Sequence, residues 1–538
     1  MSSDHPKLRA ILAGIVLIAL LAGAAALRFH RIGAKSLWLD EAATMKYMGL
    51  PFVQAIWAVE AYDAHPPLYY SLLHLWLHGS TGGARARAFS ATVSVATLLV
   101  FYGLARVFLA RPASLLATLL LAVSALQVYF AQEARLYALA VFFVTLSWYF
   151  LARLVAGRRL ARWPLWLGLA LANTAAVYTL YYTLFSMAAQ GVVLLALWRS
   201  IGRKLIVPWV AWQLLPVCLF ALYVPQILTR LRGLRGLAPP AGRTVLSPEG
   251  LSETASQFTS GFLSTLVPKR TAPLVRIDLP NGETVHVRRV RQSAVNLLRA
   301  LTAGLGLLAL AAGLAGWRRG FRTAPTLTLI WLLGPIVFLA LLPIRGHTYE
   351  PKHLLFAAPA LALLPAMGLA GARGLLKAFP AAVVLLWLGA NAFSLAEYFD
   401  PRVEKENWRD AIHELAEYVE PGDIVVFNPP PVSLPFAYYY TPARTGCECP
   451  LTLEVNAPLP SEPLHPGTLR LDPQRVAGQR RLWLLEAKSN VAIPNPRIAE
   501  MLKPYPVLPP FPRQYDDLVG SIRVQLYDTR LPPPKSAP

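Results

Sequence analysis

The sequence predicts a polytopic, all-α membrane domain of about eleven spans that carries a small soluble α/β domain at its C-terminal end. Three observations predict this. Hydrophobic residues make up 55% of the 538-residue chain and charged residues only 15%, whereas about a quarter of an ordinary soluble domain is charged. The apolar residues fall in long blocks, such as ILAGIVLIALLAGAAAL from Ile11 to Leu27, and about 18 or more consecutive apolar residues match the hydrocarbon core of a bilayer. Lys and Arg gather in short stretches between the blocks, as the positive-inside rule expects.

The basic residues flanking each block give it a direction. Lys7 and Arg9 precede the first block, which places the N-terminus in the cytoplasm. No small-residue cleavage site follows that block, so it reads as a retained span. The segment from Arg28 to Asp63 is a polar first external loop. The next spans are expected near 89–108, 112–130, 136–154, 163–180, 182–198 and 205–224. After a long external loop from Pro225 to Gln292, four more follow near 295–317, 325–342, 354–369 and 379–396. Arg106, Arg111, Arg153, Arg158, Arg159, Arg162, Arg199, Arg203, Lys204, Arg318, Arg319, Arg322, Arg373 and Lys377 mark the cytoplasmic turns. The segment HPPLYYSLLHLWLH (65–78) is apolar but too short to span. Counting it as a span would also invert every later loop. It is expected to lie at the outer membrane interface as a helix opened by Pro66 and Pro67, with its aromatic side chains at headgroup level. Within the long external loop, LVRIDLPNGETVHVRRV reads as a hairpin about Asn281-Gly282.

Residues 1–396 thus form the membrane domain, and residues 397–538 form an extracytoplasmic domain. In the latter, NWRDAIHELAEYV has helical periodicity, whereas DIVVF, RLWLLEA and SIRVQLYD read as strands. The formal net charge of +22 would suggest nucleic acid in a soluble protein. Here the basic residues lie in short loops, and no basic domain with interleaved aromatics appears, so a nucleic-acid partner is not expected. Of the three cysteines, Cys218 sits in an apolar block as packing. Cys447 and Cys449 fit either a local disulfide or an inert pair, and two thiols are too few for a structural zinc site.

Polar residues gathered at one face of so much hydrocarbon are functional candidates. Four clusters are expected at the outer face. They are Asp40-Glu41 in SLWLDEA, His65-Pro66-Pro67, Gln132-Glu133-Ala134-Arg135 in YFAQEARLYAL, and Arg345, His347, Tyr349, Glu350, Lys352 and His353 in IRGHTYEPKHLL. Each has a plainer explanation alone: acids at a helix N-terminus, an interfacial histidine, an internal Glu–Arg pair, and an interfacial anchor. Together, acids and cations on one face suit a phosphate leaving group and a nucleophile that needs a base. Asp40, Glu41 and Glu133 are the candidate catalytic acids. His65, Arg135, Arg345, Lys352 and His353 are the candidate phosphate contacts. Tyr69, Tyr137, Tyr181, Tyr182 and Tyr349 are expected on the lipid or acceptor side. Two carboxylates such as Asp40 and Glu133 also suit a divalent metal, which prefers oxygen ligands.

The segments SLWLDEA, HPPLYY, YFAQEARLYAL and YEPKHLLFAAPAL, in this order, resemble the GT-C superfamily of membrane glycosyltransferases. They are most similar to the group of protein O-mannosyltransferases and lipid A aminoarabinose transferases, family 39 of the glycosyltransferases. The resemblance covers about residues 8 to 400. It implies the GT-C fold and an inverting transfer of a sugar from a polyprenyl-phosphate donor to a lipid, glycan or protein acceptor, at the outer face of the cell (inner) membrane. It further implies that Asp40 matches the catalytic acid of the first external loop, that His65 lies against the donor phosphate, and that Glu133 and Arg135 match a second acid–base pair. Lys352 and His353 stand where relatives carry Arg-Tyr, which keeps one positive charge but loses a bidentate guanidinium and a phenol. WRDAIHELAEYVEPGDIVVF resembles the start of the soluble domain in bacterial members. Two other functions fit the same architecture. One is an oligosaccharide ligase. The other is a flippase or transporter of lipid-linked sugars, which would need ionisable residues inside the spans and broken helices.

Overall fold

In the computed structural model, the described residues are 5–63, 65–157, 163–199, 203–233, 245–271, 274–278, 284–288, 290–315, 323–341, 349–420, 422–441, 452–454 and 481–489, with shorter stretches between 498 and 529. The chain folds as two compact units. One comprises Met1–Ile32, Pro51–Thr271 and Val290–Phe399. The other comprises Gly33–Leu50, Ala272–Arg289 and Asp400–Pro538.

The helices, in chain order, begin with α1 (His5–Phe29), α2 (Leu39–Met48), α3 (Phe52–Tyr62), α4 (Leu68–Leu77) and α5 (Gly83–Phe108). There follow α6 (Arg111–Ala122), α7 (Ala125–Ala131), α8 (Tyr137–Ala156), α9 (Trp163–Val177), α10 (Thr183–Ala196) and α11 (Arg203–Ala221). Next are α12 (Val224–Gly233), α13 (Pro248–Ser260), α14 (Leu263–Thr271), α15 (Gln292–Ala315), α16 (Thr323–Leu341), α17 (Ala358–Gly371) and α18 (Ala378–Tyr398). The last two are α19 (Trp408–Tyr418) and α20 (Ser433–Tyr439).

Among the described residues, eight helical runs are long and apolar enough to cross a membrane, and α6 with α7, bent by 59°, makes a ninth. The shorter apolar helices α9 and α10 have 15 and 14 residues. These eleven elements coincide with the eleven apolar blocks of the sequence, and the chain is a multi-pass membrane protein. Their exposed side chains are largely Leu, Ile and Val, as on Ile11, Ile15 and Ile18 of α1 and Leu307 of α15, which is what a lipid-facing surface requires.

Inside this bundle the polar groups find one another. Asn173 donates to Gln190 (2.9 Å) and Gln213 (2.7 Å), and Gln190 donates to Ser147 (2.9 Å). These bonds join α8 to α11 by the interhelical amide contacts that hydrocarbon favours. At Gly368 helix α17 lies so close to α15 that a Cβ would overlap the Ala312 carbonyl. Cys218 is exposed on α11, so the expectation that it packs inside is corrected: its face of the span points outward.

The segment 225–292, expected as a loop with one hairpin, also holds three helices, α12 to α14. The start of α13 carries a plain signal: the Ser247 hydroxyl accepts from the Gly250 N–H at 3.0 Å, and Pro248 opens the first turn. Hydropathy misses this helix because its buried face, including Thr254, Ser256, Gln257 and Thr259, is mostly polar. Asn391 of α18 ties it in, accepting from the Ala125 N–H and donating to the Thr259 carbonyl, both at 2.8 Å. The expected hairpin is present as β1 (Leu274–Asp278) paired antiparallel with β2 (Thr284–Arg288). The Asn281-Gly282 turn lies outside the described residues, as do Arg158, Arg159, Arg162, Arg318, Arg319, Arg322, Cys447 and Cys449.

The second unit contains α2, α19, α20 and a five-stranded sheet of β3 (Ile424–Asn428), β4 (Thr452–Glu454), β5 (Leu482–Ser489), β6 (Arg513–Asp516) and β7 (Gly520–Tyr527). The strand order is β4-β3-β5-β7-β6, with β3 parallel to β4 and β5 and the other pairs antiparallel. The helix and the three strands foreseen in the tail correspond to α19, β3, β5 and β7. Ile424, Val426, Leu482, Leu484 and Leu502 form part of one core. Asp423 is fully buried; its Oδ2 accepts from Trp483 Nε1 at 2.8 Å and pairs with Arg481 at 3.1 Å, so its charge is met.

Candidate active site

In the first unit, the short helix α4 and the turns beside it gather most of the residues singled out from the sequence. Helix α4 is the expected interfacial segment. It begins after Pro67 and ends at His78, whose left-handed backbone (φ +48°) stops it. Its buried face carries Tyr69, Tyr70, Leu73 and Leu77. The Leu68 N–H donates to the Tyr178 carbonyl at 3.1 Å, which ties the head of α4 to the α9–α10 turn.

Just before α4 stands the centre of the cluster, Asp63. Its Oδ2 accepts from the Tyr70 hydroxyl at 2.8 Å and from Arg135 Nη1 at 3.2 Å. Arg135 also donates to the Tyr70 hydroxyl at 2.9 Å. On the other oxygen, Oδ1 accepts the His65 N–H at 3.2 Å and lies 4.0 Å from His65 Nε2. Burial alone would raise the pKa of Asp63. The charges of Arg135 and His65, with the hydrogen bonds from Tyr70 and Arg135, outweigh it and hold the value down to about 2.

Arg135 reaches this position because α7 ends at Ala131 and α8 begins at Tyr137, so residues 132–136 form a tight, buried crossing. Gln132 fixes it by donating to the Arg28 and His30 carbonyls at 3.0 and 2.8 Å and accepting from the Tyr398 hydroxyl at 3.0 Å. Glu133 is buried within the same crossing. Ser90 of α5 donates to the Arg135 carbonyl at 3.4 Å and meets the Tyr69 hydroxyl at 3.3 Å.

A second part of the cluster surrounds the 3-10 turn Pro351–Ala357, which packs on α8. Lys352 pairs with Glu350 at 2.8 Å. His353 Nδ1 accepts the Glu350 N–H at 3.4 Å, a capping box that puts the proton of the neutral ring on Nε2. The His353 ring stacks on Tyr182, with centroids 4.8 Å apart and planes 15° apart. Burial first, then Tyr137 and Glu350, raises the phenol of Tyr182 well above its usual value, against Lys352. Tyr349 is raised as well, chiefly by burial, and bonds to Thr254 at 2.7 Å. Tyr181 lies in the same turn as Tyr182, 5.8 Å from the Tyr223 ring. Arg345 and His347 lie outside the described residues.

The structure therefore brings together His65, Arg135, Tyr69, Tyr137, Tyr182, Tyr349, Lys352 and His353 in one unit. It adds Asp63 and Tyr70, which the sequence reading passed over. The signal for Asp63 was weak: an acid two residues before His65, with its partner Arg135 far along the chain.

Asp40 and Glu41 belong to the second unit, in the first turn of α2. Glu41 is fully buried, and Asp40 is half-buried. Helix α2 has no side-chain cap of its own at Trp38. The Leu39 N–H donates instead to Glu406 Oε2 at 3.0 Å. Burial raises the pKa of Glu406. The nearby Asp40 adds to this, while hydrogen bonds from Trp408 and Leu39 and the charge of Lys405 work against it. Glu406 is a further residue that local sequence gave no reason to select. Among the described residues, no group of three His, Cys, Asp or Glu side chains is placed to hold a metal ion. The metal role considered for Asp40 and Glu133 thus has no ready-made ligand set among them.

No protein-family model and no curated protein sequence matches the chain. Solved structures do. ArnT from Cupriavidus metallidurans bound to undecaprenyl phosphate aligns over 94% of this chain and 97% of its own, at 12% identity and a TM-score of 0.41. The archaeal oligosaccharyltransferase AglB from Archaeoglobus fulgidus aligns over 76% of this chain and 62% of its own, at 12% identity and a TM-score of 0.40. The protein O-mannosyltransferase Pmt1-Pmt2 complex of S. cerevisiae aligns over 52% of this chain and 44% of its own, at 19% identity and a TM-score of 0.34. The chain spans less than half of that last structure, and none of the three assigns a role to a residue here.

Proposed function

We propose that the protein is an inverting glycosyltransferase of the outer membrane face, moving a sugar from a polyprenyl-phosphate donor to an acceptor. The observation that carries this reading is the buried Asp63–Arg135 pair with His65 beside it at the head of α4, in the same unit as the Lys352–His353 turn. Cations anchored this way, at the ends of apolar helices, suit a lipid-borne phosphate. The resemblance of four segments to family 39 of the glycosyltransferases supports the same reading.

In the reaction, the acceptor hydroxyl or amine attacks the anomeric carbon of the sugar as the bond from that carbon to the phosphate oxygen breaks. The electron pair leaves with polyprenyl phosphate. Asp40 takes the acceptor proton, a contribution of roughly 10²–10⁴-fold. His65, Arg135, Lys352 and His353 stabilise the charge that grows on the departing phosphate. Glu133 supports Arg135 from the same crossing, and Tyr182 offers a ring face for sugar or lipid. The N-terminus is cytoplasmic, and α4 lies at the outer face.

A flippase is the less favoured reading. The buried polar network within the bundle, centred on Asn173, Gln190 and Gln213, is made of neutral amides and hydroxyls. Among the described residues, the buried charged side chains of the long spans, Arg28, Arg87 and Glu397, stand near helix ends. Transport would call for ionisable groups in mid-span.

The test is turnover of polyprenyl-phosphate sugars, hexose and pentose, by the purified protein in detergent beside Asp40→Asn. The wild type is expected to release free polyprenyl phosphate, and the variant to bind donor but turn over about 10²–10⁴-fold more slowly. Wild-type protein that neither binds nor turns over any donor of the panel would sink the reading.

A further inference from the structure

Within the second unit, the segment that leads into Asp40 is bonded by side chains of residues 404–409 and by Tyr439. Arg409 donates to the Gly33, Ala34 and Lys35 carbonyls at 3.2, 2.6 and 3.2 Å. The Ser36 N–H donates to Glu404 Oε2 at 3.0 Å, and the Leu37 N–H donates to the Tyr439 hydroxyl at 2.6 Å. Lys405 lies over the Trp38 ring, 5.2 Å from its centroid. The last bond of the series is the Leu39 N–H to Glu406 Oε2, and Trp408 Nε1 donates to the same oxygen at 2.8 Å.

The result is a helix N-terminus capped by a side chain far away in sequence. An ordinary cap is local, a Ser, Thr, Asp or Asn one residue before the helix. Here Trp38 occupies that place and offers no oxygen. Glu406, 3% exposed, supplies the missing acceptor. Asp40 is the next residue after the capped one, so the direction of its carboxylate depends on how the first turn is set.

We infer that Glu406 is a positioning residue for Asp40, and that the Glu404–Arg409 segment of the C-terminal domain is part of the catalytic scaffold. This rests on the role given to Asp40 above. Its effect belongs to the chemical step, since misplacing a catalytic group by about 1 Å can cost 10²-fold in rate.

The test uses the full chain in detergent with three variants: Glu406→Ala, Glu406→Gln and Tyr439→Phe. Two readouts are taken: turnover of the donor panel, and amide hydrogen exchange of the peptide covering residues 33–44. Glu406→Ala is expected to lower kcat about 10- to 100-fold with donor KM within about twofold, and to speed exchange at residues 36–42. Glu406→Gln keeps an oxygen that can accept from both Leu39 and Trp408, and is expected to restore kcat to within about threefold of wild type. Tyr439→Phe keeps the ring and removes only the hydroxyl. It is expected to speed exchange and to lower kcat about threefold, and it decides the matter if Glu406→Ala does not fold. Wild-type kcat and exchange in Glu406→Ala, or in Tyr439→Phe where the alanine variant is lost, would overturn the inference. Loss of turnover in Asp40→Asn alone would then leave the glycosyltransferase reading standing. If no donor is turned over even by wild type, that reading fails, and unchanged exchange still overturns the capping role by itself.

Discussion

The two regions that carry the candidate chemistry are held in opposite ways. In the first unit, Asp63, Arg135 and Tyr70 hold one another by side chain to side chain, with an ion pair at 3.2 Å between groups 8% and 5% exposed. In the second, the approach to Asp40 is held by side chains on backbone: Arg409, Glu404, Tyr439 and Glu406 each bond main-chain groups of residues 33–39. The first arrangement places charge. Removing one member leaves a buried charge without its counterpart, and the penalty is large. The second arrangement places a peptide segment. Its bonds are many, and each is expected to matter to geometry more than to survival of the fold.

The largest stability effect is therefore expected from Arg135→Ala. With Asp63 left buried and without its guanidinium partner, the protein should lose about 3–5 kcal/mol, read as a drop in melting temperature in detergent, together with donor binding. A melt close to that of wild type would erase the contrast between the two regions.

Asp63→Asn sharpens it through pH. The carboxyl of Asp63 is held at about 2, below its ordinary value of 3.8. A depressed value in the folded state means stability that is present above the unfolded value and lost as pH falls through the folded one. Wild-type melting should thus decline between about pH 4 and pH 2. The asparagine variant should start lower at neutral pH and lack that portion of the decline. Parallel pH curves for the two proteins would remove Asp63 from its central place.

The smallest effect is expected at Lys352. Its pair with Glu350 is partly exposed, at 14% and 28%, and such pairs contribute about 0–1 kcal/mol. Lys352→Ala should leave the melt nearly unchanged while raising donor KM several-fold, if Lys352 is the phosphate contact proposed above. Equal donor KM in variant and wild type would take Lys352 out of the phosphate contacts.

How much of this was legible in the sequence differs between fold and site. The eleven apolar blocks and the strands of the tail follow from hydropathy and period, which depend only on residues close together in the chain. The helix α13 escaped because its buried face is Thr, Ser and Gln. A hydropathy scan does not see a helix whose hydroxyls are satisfied by neighbours such as Thr302, 2.7 Å from Ser256. The motif residues His65, Arg135, Lys352 and His353 stand out as polar groups beside apolar blocks. Asp63 and Glu406 do not, since nothing local distinguishes them from ordinary loop acids.

The sequence by itself determined that this chain lives in a membrane, where its spans run, and which polar segments flank them, because the bilayer acts on each segment separately. Only the tertiary structure decided that Arg135 answers Asp63, 72 residues away, and that Glu406 caps α2 from 367 residues away. The physical reason is that an ion pair or a cap depends on distance in space. A charge or an orphan N–H accepts whatever partner folding brings within about 3 Å, and no pattern along the chain records which partner that will be.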